Sequence, residues 1–241
     1  MCGRFGQTKK IANQDLLQDV IVPGLFQENF NVSPGNNAYI LTQNFHFEKA
    51  VFGFTPHWEK QARFYFNARA EGKENPENQT EFSGPYGIFQ MPSFREAIRK
   101  NRCLIPVDYF IEGPEKEKLS QPYLIERKDG NCFFLGGIYS DFVDTSTGEI
   151  SRTFAIITTA SSRLVSKIGH HRSPLLIEND KMNTWMDLKI NSEEILKFFV
   201  PFDSKSYHAF RISPAIKSPN RNHSNNSPLL IQPTGEIISL D

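Results

Sequence analysis

The sequence predicts an α+β protein built on mixed and antiparallel β-sheets with a few short helices around them. Short β-rich runs dominate the first two thirds of its 241 residues, and helical patterns are fewer. The two kinds of element interleave without the regular strand–helix–strand rhythm of a parallel doubly wound sheet. No internal repeat and no break in composition marks a linker, so we expect a single domain, residues 1–241.

Six runs of alternating or continuously apolar residues are expected to be strands. They are Ala38–Thr42, Phe45–Phe54, Cys103–Val107, Tyr123–Arg127, Cys132–Ile138 and Thr153–Thr159. We expect the first two to pair through a turn at Gln43-Asn44. Asp129-Gly130 is typical of a tight hairpin turn between two paired strands.

Four short segments are expected to be helices. They are Thr8 to about Val20, Ser93 to about Asn101, Asp180–Leu188 and Ser192–Phe199. Thr8 can cap the first of these, and Ser93 with Glu96 forms the pattern of a capping box at the start of the second.

Two polar stretches are expected to lie outside the packed elements. Gly72–Pro92 is rich in Glu, Asn, Gly and Pro and has little periodicity, which favours a long surface loop. Ser218–Ser227 has a similar run of Asn and Ser. It falls within residues 215–241, which we expect to form a C-terminal extension.

The charge balance limits the ways in which this protein can bind nucleic acid. Lysine and arginine total 27 and aspartate and glutamate total 27, so the formal net charge is zero. This balance argues against a protein that coats nucleic acid by bulk charge. A local basic groove remains compatible with the sequence.

The cysteines and the hydropathy pattern indicate a soluble protein of the cytoplasm. Cys2, Cys103 and Cys132 are odd in number and widely spaced, which argues against a disulfide framework or a structural zinc site. No apolar run approaches membrane-spanning length, and the N-terminus lacks the apolar region of a signal peptide. We therefore expect a monomer with no metal, no cofactor and no membrane association.

Cys2 is the residue with the most distinctive chemistry. If the initiator methionine is removed, Cys2 carries an α-amine and a thiol on adjacent carbons. The amine can condense with an aldehyde, and the thiolate then closes a five-membered thiazolidine ring. Reference pKa values of about 7.7–8.0 for the amine and about 8.5 for the thiol make both nucleophilic forms accessible near neutral pH. The alternative is a cysteine that stands second by chance.

Two segments contain polar residues that suit catalysis, and each has a purely structural alternative. Asn67 opens a polar stretch after an aromatic run, which is otherwise the end of a strand that enters a surface loop. Glu112 lies among bulky apolar neighbours, and such surroundings raise the pKa of a carboxyl group toward a useful acid–base range. Its alternative is an exposed glutamate in a turn.

An imidazole pair and an exposed aromatic residue complete the candidates. His170 and His171 would point to opposite sides of an extended chain, so proton transfer by one of them is favoured over a shared zinc ion. A solvated pair in a loop is the alternative. Trp58 lies near arginines and suits base stacking in single-stranded nucleic acid, although such aromatic residues commonly pack in a core.

Six sequence blocks occur together in one order along the chain. They are Cys2-Gly3-Arg4-Phe5, Asn31-Val32-Ser33-Pro34-Gly35, Gly53-Phe54-Thr55-Pro56-His57-Trp58, Asn67-Ala68-Arg69-Ala70-Glu71, Arg102-Cys103-Leu104-Ile105-Pro106 with Phe110-Ile111-Glu112, and His170-His171-Arg172-Ser173-Pro174. In this order the chain resembles the SRAP (SOS-response-associated peptidase) family. The resemblance implies barrel-like β-sheets flanked by short helices.

The resemblance also implies a function in the DNA damage response, namely recognition of abasic sites in single-stranded DNA. An abasic deoxyribose opens to an aldehyde, which Cys2 would capture as a thiazolidine DNA–protein crosslink. By the match of motifs, Asn67 would hold the Cys2 amine or the ring, and Glu112 would shuttle protons. His170 would act as general acid on the sugar oxygen.

The same resemblance implies the residues that contact DNA. Arg4, Arg69 and Arg172 would contact phosphates, because a guanidinium group binds phosphate through two parallel hydrogen bonds. Trp58 would be the wedge or stacking residue at the lesion. Gly113 stands where the family usually has Trp, so the details of the DNA contacts are expected to differ.

Two other functions remain compatible with these residues. One is a cysteine peptidase that acts on itself or on other proteins with Cys2, His170 and Glu112. The other is a noncatalytic module that binds single-stranded nucleic acid and does not depend on Cys2.

Overall fold

The computed structural model describes residues 2–12, 17, 26–217 and 225–240 and confirms the predicted α+β class. The strands in these ranges are β1 (Arg4–Gln7), β2 (Asn29–Val32), β3 (Asn37–Leu41), β4 (Phe47–Phe52), β5 (Asn67–Arg69), β6 (Arg102–Val107), β7 (Tyr109–Glu112), β8 (Tyr123–Arg127), β9 (Phe133–Val143), β10 (Ile150–Ala160), β11 (Arg172–Pro174), β12 (Leu176–Ile177), β13 (Tyr207–Arg211) and β14 (Ile237–Ser239). The α-helices are α1 (Lys9–Ala12), α2 (Ala97–Lys100), α3 (Arg163–Lys167), α4 (Met182–Met186) and α5 (Ser192–Leu196).

Five strands close into a barrel, as the family resemblance implies. The eight-stranded sheet runs β11-β10-β4-β3-β6-β9-β12, β5 pairs with β10, and a further pairing between β10 and β9 closes the ring. β10 is parallel to β4 and β5, and the other pairings in this sheet are antiparallel. Gly137 of β9 allows the strands to approach closely, because a Cβ atom there would lie 2.8 Å from the Ala155 carbonyl oxygen.

The barrel strands are buried on both faces, which explains their continuous apolar runs. Alternate residues of one strand enter different clusters, because side chains alternate across a strand. In β10, Phe154 and Ile156 pack in the cluster that contains Cys2 and other barrel residues. Ala155 and Ile157 pack in a second cluster with Trp185 of α4.

The second sheet brings the N-terminus to the candidate site. Its six strands run β14-β13-β8-β7-β1-β2, and every pairing is antiparallel. In the β1–β7 pair, Arg4 stands opposite Ile111 and Phe5 stands opposite Phe110. Because the strands are antiparallel, Gly3, directly before Arg4, lies beside Glu112, the last residue of β7.

All six strands predicted from the sequence are confirmed, as β3, β4, β6, β8, β9 and β10. β3 and β4 pair around the 3₁₀ turn Gln43–Phe45, near the predicted position.

The prediction that two paired strands flank a hairpin turn at Asp129-Gly130 is wrong. Gly130 does adopt a turn conformation with φ of +72°. However, β8 pairs with β7 and β13 in one sheet, whereas β9 belongs to the other.

Two of the predicted helices begin or end differently. The Thr8 hydroxyl accepts a hydrogen bond from the Lys10 N–H at 3.4 Å at the start of α1. That helix is described to Ala12, and most of the predicted continuation to Val20 lies outside the described residues. The prediction of a capping box at Ser93 is wrong, because α2 begins at Ala97. The Glu96 carboxylate instead accepts a hydrogen bond from the Lys100 ammonium at 3.1 Å.

The remaining helices and loops follow the prediction in outline. α4 and α5 are shorter than predicted, and α5 has a capping box formed by Asn191 and Glu194.

The stretch 72–92 is largely exposed, and the only helical element in it is the 3₁₀ turn Gly87–Phe89. The 218–227 stretch lies mostly outside the described residues. Within 215–241, β14 joins the six-stranded sheet, and the single-domain organisation stays a prediction.

None of the helices in the described ranges is long and apolar enough to span a membrane.

Candidate active site

A cleft of ≈ 680 Å³ lies where β1, the end of β7 and the loop before β11 meet. Its walls include Arg4, Phe66, Glu112, His170 and His171. These residues are far apart in the sequence, and the β1–β7 pairing together with the β10–β11 pairing brings them to one place. The cleft is therefore the strongest candidate for a reaction site in the described part of the chain.

Cys2 lies buried beside this cleft, directly before Gly3 and Arg4, which line it. It is only 1% exposed. Burial raises the pKa of its thiol well above the usual range, and the negative charge of Glu112 adds to this effect. The thiol is therefore neutral at neutral pH and reacts only when a neighbouring group takes its proton.

Asn67 holds the backbone of Cys2. It is the first residue of β5, which pairs with β10, and its side-chain N–H donates to the Cys2 carbonyl oxygen at 2.7 Å. The other side-chain atom, Asn67 Oδ1, is buried and has no hydrogen-bond partner among the described residues. A buried acceptor without a partner is uncommon in proteins and points to a donor that binds there.

Glu112 and His170 form a buried acid–imidazole pair. Nε2 of His170 lies 3.6 Å from Oε1 of Glu112. Burial raises the pKa of the Glu112 carboxyl, and burial lowers the pKa of His170 to about 4. Both shifts favour the uncharged forms, so at neutral pH the imidazole carries no charge and the carboxyl holds its proton more readily than an ordinary glutamate.

The backbone of Arg172 contacts the second nitrogen of His170. Nδ1 of His170 lies 2.9 Å from the Arg172 carbonyl oxygen and 3.2 Å from the Arg172 N–H nitrogen. The Ser161 hydroxyl also donates to the His170 carbonyl oxygen at 2.8 Å. These contacts fix the position of the imidazole ring in the cleft wall.

His171 lies at the rim of the cleft. Its ring stacks on that of His170 with a centroid separation of 5.0 Å and an interplanar angle of 18°. Nδ1 of His171 lies 2.6 Å from a carboxylate oxygen of Glu115, and the His171 side chain is 34% exposed. Of the two histidines, His170 is the one that faces Glu112.

Two of the three predicted phosphate contacts lie near the site but are already bound within the protein. Arg4 lines the cleft, and its guanidinium donates to Asn31 Oδ1 at 2.7 Å and to the Lys217 carbonyl oxygen at 3.1 Å. Arg69 donates to the Asn75 carbonyl oxygen, and its Nε lies 4.0 Å from Glu71. Burial lowers the pKa of both arginines.

The third predicted phosphate contact, Arg172, is not at the surface. Its side chain is 2% exposed and forms two parallel hydrogen bonds with Glu71, at 3.0 and 2.7 Å. Trp58, in contrast, is 51% exposed. It lines a separate concavity of ≈ 490 Å³ with residues 59–63, outside the main cleft.

The sequence did not indicate the ion-pair partners of Arg172 and His171. Glu71 was not singled out as the partner of Arg172, nor Glu115 as the partner of His171. Glu71 belongs to the block that begins with Asn67, which is the only signal that could have indicated it. Among the residues that the structure describes, no group of three or more His, Cys, Asp or Glu side chains is arranged to hold a metal ion.

Several proteins named as abasic site processing proteins are similar to almost the whole chain. The protein named "Abasic site processing protein YoqW" of Bacillus subtilis is 28% identical over 243 residues, covering 96% of this chain and 99% of the relative. YedK of Escherichia coli, named an abasic site processing protein, is 24% identical and covers 97% of this chain and 100% of its own. HMCES of Mus musculus, with the same description, is 24% identical over 90% of this chain and 68% of its own.

Solved structures share the fold. A crystal structure of a protein from Bacteroides thetaiotaomicron is similar with a TM-score of 0.76 and 26% identity, covering 97% of this chain and 100% of that chain. One from Bordetella bronchiseptica has a TM-score of 0.69 at 15% identity, covering 88% and 100%. The family model described as SOS response associated peptidase (SRAP) matches residues 1–219. This chain therefore belongs to the SOS response associated peptidase (SRAP) family, as its six sequence blocks predict.

Proposed function

We propose that this protein processes abasic sites in single-stranded DNA by forming a covalent thiazolidine link through Cys2, after removal of residue 1. The proposal is supported by the relatives named as abasic site processing proteins. The observation that carries it is the placement of Cys2 beside a cleft that contains the Glu112–His170 pair. A 1,2-aminothiol next to an acid–base pair suits capture of an aldehyde.

The proposed reaction needs no cofactor and no oxidant. The Cys2 amine attacks the aldehyde carbon of the opened deoxyribose, and loss of one water gives an imine. The Cys2 sulfur then adds to the imine carbon, and the thiol proton ends on the nitrogen. The product is a thiazolidine ring, and the overall change is condensation with release of one water.

The site residues supply proton transfers for these steps. Glu112 donates a proton to the departing water and accepts the thiol proton, because burial raises the pKa of its carboxyl and so makes its carboxylate a stronger base than an ordinary glutamate. His170 remains neutral at neutral pH, because burial lowers its pKa to about 4. As a general acid, it donates the proton of its ring N–H toward the sugar oxygen as the ring opens. Asn67 holds the Cys2 carbonyl and so orients the amine.

Noncovalent binding of DNA is proposed to be weak and salt-sensitive. The formal net charge is zero, so the overall charge does not attract the phosphate backbone. Arg4 lines the cleft and Trp58 is exposed, which supports phosphate contact by the first and base stacking by the second. The covalent step then makes residence on the lesion long.

The test uses a single-stranded oligonucleotide with one abasic site. We expect a band that survives denaturing electrophoresis, with an intact mass equal to the protein without Met1 plus the DNA minus one water. Cys2→Ala should abolish it. Cys2→Ala and Cys2→Ser both keep the α-amine and lack the thiol, so each should give only an imine that borohydride traps. The control Cys132→Ala should crosslink normally, and an unchanged band from Cys2→Ala would refute the proposal.

A cysteine peptidase is the second candidate, because the family description contains that word and Cys2, Glu112 and His170 lie together. The raised pKa of the Cys2 thiol disfavours it, since cysteine peptidases use a thiolate whose pKa is lowered. It predicts cleavage of peptide bonds without DNA. A noncatalytic binding module predicts equal affinity for intact and abasic strands and no effect of Cys2→Ala.

A further inference from the structure

We propose that Glu71 is a positioning residue for His170 and that it acts through Arg172. The proposal rests on the proposed function for its catalytic consequence. Its structural part concerns the protein without DNA and can be tested separately.

Both terminal nitrogens of the Arg172 guanidinium are engaged by its own protein. Beyond its two hydrogen bonds with Glu71, it donates to the Thr158 carbonyl oxygen at 2.6 Å and to the Thr158 hydroxyl at 3.2 Å. A contact to Asn78 Oδ1 at 3.4 Å completes the set. Displacing these contacts would leave Glu71 as a buried carboxylate without a counter-charge, which is strongly unfavourable.

Glu71 is itself fixed to the barrel. Its Oε1 accepts a hydrogen bond from the Ala160 N–H at 3.1 Å. Ala160 is the last residue of β10 and stands opposite Arg172 in the β10–β11 pair. The carboxylate therefore ties β10 to the side chain of Arg172, and the strand pairing ties β10 to its backbone.

The backbone of Arg172 in turn controls the imidazole of His170. Nδ1 lies within hydrogen-bond distance of both the Arg172 carbonyl oxygen, at 2.9 Å, and the Arg172 N–H nitrogen, at 3.2 Å. A neutral ring nitrogen either donates or accepts, so the orientation of these peptide groups decides the tautomer. The tautomer decides whether Nε2, 3.6 Å from Glu112, carries the proton.

Glu71 and Arg172 influence the orientation of His170 from outside the cleft. Neither side chain lines the cleft, and both are almost completely buried. A substitution at Glu71 therefore changes the orientation of His170 without removing any atom that substrate touches.

The test compares Glu71→Gln and Arg172→Lys with the original protein in three measurements. These are the crosslinking rate at saturating abasic DNA, the affinity for an intact single strand, and the ¹⁵N chemical shifts of the His170 ring without DNA. We expect each variant to reduce the rate by about 10-fold or more. We also expect shifted His170 resonances and an unchanged affinity for the intact strand.

The matched control is the ion pair between Glu48 of β4 and Arg152 of β10, neither of which lines the cleft. Glu48→Gln and Arg152→Lys should leave the rate and the His170 resonances unchanged. If Glu71→Gln fails to fold, Glu71→Leu combined with Arg172→Met replaces the pair by apolar side chains of similar size. That double variant should fold and still show altered His170 resonances.

Two results would overturn the proposal. One is a set of His170 resonances that none of the folded variants changes. The other is a loss of affinity for the intact strand in Arg172→Lys with a normal rate at saturation, which would make Arg172 a phosphate contact. Because the resonances are measured without DNA, absence of crosslinking in the original protein would refute the proposed function and leave the positioning role testable.

Discussion

Nε2 of His170 and Oε1 of Glu112 lie 3.6 Å apart, and their side chains are only 5% and 8% exposed. Burial shifts the two pKa values toward the uncharged forms, upward for the carboxyl and downward for the imidazole. A pair of this kind is suited to passing a proton rather than to forming a permanent ion pair.

His170→Asn should reduce the crosslinking rate by about 100-fold, whereas His171→Asn should change it by less than about 3-fold. Only His170 faces Glu112, and His171 lies at the rim with its Nδ1 2.6 Å from Glu115. Asparagine can keep a hydrogen bond to the Arg172 backbone while removing the imidazole that we propose as the proton-transfer group. The measurement is the single-turnover rate at saturating abasic DNA. Equal losses in both variants would reject this assignment.

Asp108→Asn should stabilise the protein above pH 6. Burial raises the pKa of Asp108 from 3.8 to about 6. Its Oδ2 accepts from the Thr8 N–H at 2.6 Å, and its Oδ1 has no hydrogen-bond partner among the described residues. A raised carboxyl pKa means that the folded state binds the proton more tightly. The contribution of this proton binding to the free energy of unfolding is complete below pH 3.8 and is lost as the pH rises through about 6.

The expected gain for Asp108→Asn at pH 8 is up to about 3 kcal/mol of unfolding free energy, and it should disappear near pH 4. Urea unfolding at several pH values measures it. Asp180→Asn is the control, because Asp180 is exposed and should give no pH-dependent difference. His170 contributes the opposite slope in both proteins, since its pKa is lowered to about 4 and its stabilisation is lost as the pH falls from 6.5. A gain that is the same at pH 8 and pH 4 would contradict the buried-carboxylate explanation.

Arg102→Lys should destabilise the fold by about 3 kcal/mol. The completely buried guanidinium of Arg102 donates to carbonyl oxygens of Ile98 and Arg99 at the end of α2, and of Trp185 and Asp187 at the end of α4. A lysine ammonium is a point donor that cannot span these four acceptors, so buried carbonyls would lose their partners. Urea unfolding measures the loss. The exposed Arg99→Lys is the control, and a loss below about 1 kcal/mol at Arg102 would reject the prediction.

The sequence predicted best those features that depend on local patterns. The apolar runs of β3, β6 and β10 reflect burial on both faces of each strand, so their positions could be read directly. The turn at Asp129-Gly130 was also local, because glycine supplies the positive φ. Its hairpin was wrong because strand pairing depends on distant residues, and β8 and β9 find their partners in different sheets.

The candidate site was predictable as a set of residues but not as a set of contacts. The order of the six blocks indicated the family, and the structure brings Glu112 and His170 together. The environment of Arg172 could not be predicted, because its partner Glu71 is 101 residues away. In the sequence, an arginine two residues after a candidate catalytic histidine is equally compatible with a phosphate contact and with a buried ion pair, and the ion pair with Glu71 becomes visible only in the tertiary structure.

Trp58→Ala should weaken noncovalent binding to single-stranded DNA by about 10-fold, since stacking of a base on an aromatic side chain contributes about 1–3 kcal/mol. Trp58 is half exposed, so its loss leaves no cavity in the core. Leu229→Ala is the control, because it removes an even more exposed apolar side chain elsewhere on the surface.

The effect of Trp58 should appear in affinity and not in the chemical step. The side chain lines a concavity separate from the cleft, so the crosslinking rate at saturating DNA should stay within about 3-fold of the original. Fluorescence provides the measurement, because the other tryptophan, Trp185, is completely buried and its emission should not respond to DNA. A lowered rate at saturation would show that Trp58 also contributes to the chemical step. Quenching and affinity that both survive in Trp58→Ala would place the stacking residue elsewhere, and the DNA would then have to enter the cleft from a side that does not pass residues 58–63.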